Sequence, residues 1–152
     1  MQQLFGIIQY MSDNVASIGY LSGKMHSLIK ARVQQYLDAA GIELKMELYP
    51  ILNTLWKQDG VTQQSLSDHL GYDRHRMSRL LDVLEESGWI HREDHPNSRR
   101  EKKIILTSFC HSNKEQILNC IHAALADALQ GFTQERKKAF IEDFQKIIKN
   151  LS

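Results

Sequence analysis

The sequence contains little that would stiffen or cross-link a backbone: two cysteines, Cys110 and Cys120, and two prolines, Pro50 and Pro96, in 152 residues. Two cysteines make no disulfide framework, so a reduced, cytoplasmic chain is expected. No apolar run approaches the roughly 18 residues that span a bilayer, so no membrane partner is expected. The opening "MQQLFGIIQYMSDN" has neither a basic n-region nor a small-residue cleavage site and does not read as a secretory signal. A Gly-rich phosphate loop, a nucleophile elbow and a paired-carboxylate motif with supporting context are also missing. An enzyme is therefore not expected, and no cofactor is called for. Charge of one sign is missing too: 19 basic against 18 acidic residues leave a net charge of +1, which gives no global pull toward nucleic acid.

What is present is an ordinary globular composition, 42% hydrophobic and 24% charged, in a length that suits one domain. The basic residues are clustered. "DRHRMSR" carries Arg74, Arg76 and Arg79, and "SRREKK" adds Arg99, Arg100, Lys102 and Lys103 against the single Glu101. Two short basic clusters present a local positive surface that the total charge conceals.

Most segments have helical periodicity. From Met11 to Tyr36, apolar residues recur at Met11, Val15, Ile18, Met25, Ile29 and Tyr36, which predicts a long amphipathic helix ending near Gly41. A second helix is expected from about Leu44 to Lys57, with Leu48, Ile51, Leu52 and Leu55 inward. Pro50 either kinks it or lies nearer its true start. Thr62 is placed to cap "QQSLSDHL", which Gly71 ends, and Asp73 to cap "RHRMSRLLDVLEES", which Gly88 closes. Two short helices joined by "GYD" are a helix-turn-helix signature. On the second, Met77, Leu80, Leu81 and Leu84 form the inward stripe and leave Arg74, His75, Ser78, Arg79 and Asp82 outside, with Arg76 to the side.

"WIHRED" and "KKIIL" read as strands joined by a turn from His95 to Glu101. A hairpin after a helix-turn-helix is a winged helix. Thr107 then caps a helix with Ile117, Ile121, Ala124, Leu125, Ala128 and Leu129 on one side. Gly131 breaks it, and Thr133 caps a last helix carrying Phe140, Ile141, Phe144, Ile147 and Ile148. The expected fold is mainly α with a small β-hairpin wing, a winged helix-turn-helix over about 44–107. The helices over about 11–40 and 108–151 have apolar faces that one small core cannot cover. Packing two chains together would bury them, so a homodimer is expected.

Leu48 through Thr107 resembles the MarR family of bacterial winged-helix transcription regulators. The resemblance is carried by "YPILNTLWKQDGVTQQSLSDHLGYD", "RHRMSRLLDVLEESGWIHRED" and "RREKKIILT", with spacing kept from Gly88 through Arg92, Pro96 and the wing arginines to Leu106 and Thr107. The flanking helices fit in order and length, so the resemblance covers nearly the whole chain as a single domain over 1–152. Two positions depart from the pattern. The Asp that usually precedes and pairs with the key wing arginine is Ser98, and a common Gly is Cys110.

The resemblance implies a repressor that binds palindromic operator DNA as a homodimer. Arg74, His75, Arg76, Ser78 and Arg79 are the candidate recognition-helix contacts, since a helix fits the major groove and its N-terminal residues reach base edges. Arg99, Arg100 and Lys102 are the candidate wing contacts. A guanidinium at a hairpin tip suits the narrow minor groove, and in the family pattern the position of Arg100 makes that insertion. Family members commonly bind small aromatic or anionic effectors in a cleft beside the dimer helices, for which Tyr20, Met25, His26, Tyr36 and Trp56 are candidates. Other readings of the same fold are a protein-protein adaptor and a redox- or metal-responsive regulator. The redox reading rests on Cys110 near a helix N-terminus, which can lower a thiol pKa. The metal reading rests on His111 and Glu115, with His26, Glu43 and Glu47 as neighbours in a dimer. Ligand spacing of the clustered Cys/His kind is missing, so no metal is expected.

Overall fold

The computed structural model describes residues 17–152, with Arg99 and Arg100 described as backbone only. The first six residues of the expected N-terminal helix, 11–16, lie outside the described residues. The described residues divide into two compact units, Gln34–Cys120 and a flanking unit of residues 17–33 with Ile121–Ser152. The first helix, α1 (Ser17–Ala39), contributes to both.

Within Gln34–Cys120 the chain leaves α1 through Gly41, whose φ of 69° is the left-handed conformation that glycine adopts freely. The following loop is braced by Gln34. Its amide donates to the Leu44 carbonyl at 3.1 Å and accepts from the Met46 N–H at 3.0 Å. Leu44 and Leu48 are buried although neither is helical. Helix α2 (Tyr49–Lys57) begins five residues later than the apolar rhythm suggests, with Pro50 in its first turn. Proline has no N–H to donate and its ring clashes with a preceding turn, so the start of the helix moves to the proline.

The helix pair follows as the caps predict. Helix α3 (Gln63–Leu70) starts where the Thr62 hydroxyl accepts from Ser65 N–H at 3.2 Å and ends at the left-handed Gly71. Helix α4 (Arg74–Glu86) starts where the Asp73 carboxylate accepts from Arg76 N–H at 2.8 Å. Met77, Leu80, Leu81 and Leu84 of α4 are buried, and Leu66 of α3 has no exposed surface. With Leu52, Leu55, Trp89 and Ile104 they form the core of this unit.

Three strands make an antiparallel sheet in the order β1 (Val61–Thr62), β3 (Ser98–Leu106), β2 (Ile90–His95). β1, two residues opposite Ile104 and Lys103, is too short to show alternation in a sequence. The hairpin also differs from the expected one. The strands reach His95 and Ser98, so only Pro96 and Asn97 turn, and Arg99 to Glu101 lie in β3 rather than in a loop. The Asn97 N–H is accepted by the His95 ring at 3.2 Å, which closes so short a turn.

Thr107 ties the base of the sheet to the next helix, α5 (Ser108–Ala128). Its hydroxyl donates to the Gly88 carbonyl at 2.7 Å, with Trp89 O 3.1 Å away, and accepts from the Cys110 N–H at 3.1 Å. The fold is therefore mostly helical with a small antiparallel sheet, a winged helix-turn-helix.

In the flanking unit, the Thr133 hydroxyl accepts from Arg136 N–H and starts α6 (Gln134–Leu151). Phe140 packs its ring 4.8 Å from Phe144, and Arg32 lies 3.6 Å from Asp127. No residue of α6 is buried: Ile141, Ile148 and Leu151 are 54%, 61% and 83% exposed. On α1, Ile18, Leu21 and Leu28 are likewise exposed.

Candidate nucleic-acid interface

The inward stripe of α4 turns the opposite face of that helix to solvent. Arg74, His75, Arg76 and Arg79 are exposed on it and Ser78 is half-buried. Four cationic or titratable side chains are thus gathered in the first two turns of one helix, where its amides also attract anions. Asp73 at the cap is held below the usual carboxylate range, first by the Arg76 N–H and then by the neighbouring His75 backbone and charges. An ionised cap keeps this end of the helix formed. Arg76 stacks on the Tyr72 ring, with its guanidinium carbon 4.0 Å from the centroid. The Gln63 amide donates to the Arg74 carbonyl at 3.4 Å and links α3 to the start of α4.

On the wing, the register jumps from His95 opposite Ser98 to Asp94 opposite Lys102. Arg99, Arg100 and Glu101 therefore have no partner positions on β2. Such a bulge bends a strand and redirects its side chains, a local device that a plain hairpin lacks. Both wing arginines sit in it. Lys102 is ion-paired with Asp94 across the hairpin, and both are solvent-exposed. A groove of about 350 Å³ runs between helix and wing, bordered by Gln63, Gln64, Arg74, Arg92 and Lys102.

Arg92, which the sequence marks only by its spacing from Gly88, is held by two carboxylates. Its Nη2 lies 2.6 Å from Asp82 Oδ1, its Nη1 pairs with Glu85, and its own N–H donates to Glu85 Oε1 at 2.9 Å. Burial lowers its guanidinium pKa, but the two carboxylates outweigh burial and raise it overall. The available signal was a pair of carboxylates at i and i+3 on a helix, with an arginine shortly after its terminal glycine.

The candidates for an effector cleft are divided between the two units. Tyr20, Met25 and His26 belong to the flanking unit, Tyr36 and Trp56 to the other. Tyr20 and His26 are exposed, whereas Met25, Tyr36 and Trp56 are half-buried. Trp56 meets the Tyr49 ring edge-on at 6.1 Å and has the Lys114 ammonium 5.4 Å over its face. A separate cleft of about 610 Å³, lined by Gln34, Asp38, Glu43, Leu48, Val83 and Ser87 among others, contains none of the five.

The surroundings of Cys110 count against the redox alternative. The thiol is completely buried and its pKa is pushed up to about 11. Desolvation is the main cause and Asp59 adds to it, against the Trp56 indole and the Lys114 ammonium. Burial disfavours the thiolate more than the helix terminus favours it. Cys120 is also buried. Among the described residues, no group of three or more His, Cys, Asp or Glu side chains is placed to hold a metal ion, and no helix is long and apolar enough to cross a membrane.

Comparison with known proteins gives a consistent picture. The sequence model of the MarR family matches residues 44–102. The HTH-type transcriptional regulator PrsX of Escherichia coli is 33% identical over 78 residues, 50% of this chain and 46% of PrsX. The transcriptional repressor MprA of Escherichia coli K12 is 33% identical over 104 residues, 64% of this chain and 58% of MprA. The chain thus spans about half the length of these curated relatives. Among solved structures, a transcriptional regulator from Methanosarcina mazei Go1 superposes with a TM-score of 0.80 at 17% identity, covering 95% of this chain and 96% of its own. Reduced AbfR, solved bound to DNA, superposes with a TM-score of 0.68 at 22% identity, covering 97% and 99%.

Proposed function

We propose, from the match of the MarR family model to residues 44–102, that this is a DNA-binding transcriptional regulator. It acts as a repressor on palindromic operator DNA, as a homodimer, and is released by a small aromatic or anionic effector. The observation that carries this reading is the outer face of α4, where Arg74, His75, Arg76 and Arg79 are exposed on a helix capped by an ionised Asp73. An arginine there makes bidentate bonds to guanine in a major groove, and its neighbours meet phosphate. Arg99 and Arg100 act from the wing, Arg100 in the minor groove and Arg99 on phosphate. Lys102 contributes to the same field, weakened by its pairing with Asp94.

The dimer reading is supported by the exposed apolar faces of α1 and α6, since isolated exposed apolar residues are ordinary but two whole helix faces are not. Two copies related by a two-fold axis would read half-sites about 10 bp apart, one turn of the duplex. The effector reading rests on family likeness, with Tyr20, Met25, His26, Tyr36 and Trp56 as its candidates. The naming of MprA as a transcriptional repressor supports the sign of regulation, and the DNA-bound AbfR structure supports the ligand class. The test is to incubate the chain with sheared genomic DNA and sequence what it retains. Recovery of a shared palindrome is the expected result, and fragments with no common sequence would overturn the proposal.

A further inference from the structure

The clamp formed by Arg92 joins the two parts of the interface. Asp82 follows Ser78 and Arg79 by four and three residues, so it shares their helix face, and Glu85 lies three residues further along. Arg92 stands on β2, opposite Ile104 of β3. One side chain and its own amide thus join the recognition helix to the wing through Asp82 and both oxygens of Glu85. The Arg92 side chain is only 20% exposed, but its partners are 55% and 37% exposed. Pairs with partners so exposed add little to stability. What a bidentate guanidinium supplies is fixed geometry. It also offsets half the charge of two carboxylates on a face that would otherwise repel phosphate more strongly.

We propose that Arg92 is a positioning residue for DNA binding, clamping β2 to Asp82 and Glu85 of the recognition helix so that wing and helix engage one duplex together. This rests on the DNA-binding reading above. The same geometry explains how two contacts of different kinds, in two grooves, act as one: ordering done within the free protein does not have to be done on binding.

The test uses the full chain, a genomic fragment that it retains, and a random-sequence duplex of equal length. The first variant is Arg92→Met, made alone and combined with Arg100→Ala. The second breaks the clamp from the helix side, Asp82→Ala with Glu85→Ala. This double variant removes two negative charges near DNA, so charge alone predicts tighter binding to both duplexes. Positioning predicts instead that its preference for the retained fragment over random DNA falls by about fivefold or more, the scale of one lost base contact. For Arg92→Met, affinity for the retained fragment should fall about tenfold, and adding Arg100→Ala should then cost less than it does in the parent. The proposal is overturned if the helix-side variant keeps the parent's preference, or if the Arg92→Met and Arg100→Ala losses simply multiply. A parent chain that binds no DNA would overturn the DNA-binding reading itself, whereas a parent that binds with indifferent variants overturns the clamp alone.

Discussion

Replacing Thr107 by valine should destabilise the base of the wing by a predictable amount. The substitution keeps the shape of the side chain and removes a hydroxyl that donates to Gly88 O at 2.7 Å and accepts from Cys110 N–H at 3.1 Å. The second bond is the N-cap of α5, typically worth about 1 kcal/mol. The first is an ordinary internal bond, worth about 0.5–1.5 kcal/mol net. Of the two partners, the Cys110 N–H is left on a buried residue, whereas Gly88 is exposed and water can reach its carbonyl. The sum is about 2 kcal/mol, or about 4–8 °C in Tm for a chain of this length. Thr107→Ser keeps both bonds and should lose less than half as much. The assay is thermal and urea denaturation at one fixed protein concentration, because association would make Tm depend on concentration. A valine variant as stable as the parent, or a serine variant as damaged as valine, would refute the assignment of Thr107 as a hydrogen-bonded anchor.

Four further outcomes are expected. Arg79→Ala or Ser78→Ala should change which sequence is preferred, each lost base contact costing roughly 1–3 kcal/mol on the retained fragment, as read by competition with substituted duplexes. Ser98→Asp should alter affinity by less than about tenfold, because holding Arg100 in advance and repelling phosphate act in opposite directions; Arg100→Ala should do more, and titrations at one salt concentration compare them. Ile141→Asp with Ile148→Asp should convert a dimer to monomers in sedimentation equilibrium, since both residues lie on the exposed face of α6; an unchanged dimer would move the interface elsewhere. Cys110 should resist alkylation by iodoacetamide at pH 8, where a pKa of about 11 leaves the thiol protonated. Because that folded value lies above the ordinary one of 9.0, its stabilising effect is complete below about pH 9 and is lost as pH rises toward 11.

The helix-turn-helix was legible because each of its boundaries is a local chemical event. Thr62, Gly71 and Asp73 act within four residues of themselves, and Met77, Leu80, Leu81 and Leu84 declare their face by spacing alone. The start of α2 was misplaced because the apolar rhythm from Leu44 continues through a loop whose leucines are buried without being helical. The wing strands proved longer than expected because "SRRE" has no apolar alternation, and β3 is extended there by a bulge and a two-residue turn. The Arg92 clamp was missed because its partners are seven and ten residues away across a reversal of the chain, a distance at which periodicity carries no information. The burial of Cys110 was not legible for a related reason: helix position is written in the sequence, whereas burial depends on what packs from elsewhere.

The central claim is that α4 and the wing form a sequence-reading DNA surface. Its most direct test is an anisotropy titration of the full chain on a retained genomic fragment and on random DNA of equal length, repeated over a range of salt. The expected result is a log–log decline with salt of about 0.9 per phosphate neutralised, and at every salt a preference for the retained fragment of about a thousandfold or more. Equal affinity for both duplexes, or binding indifferent to salt, would contradict it.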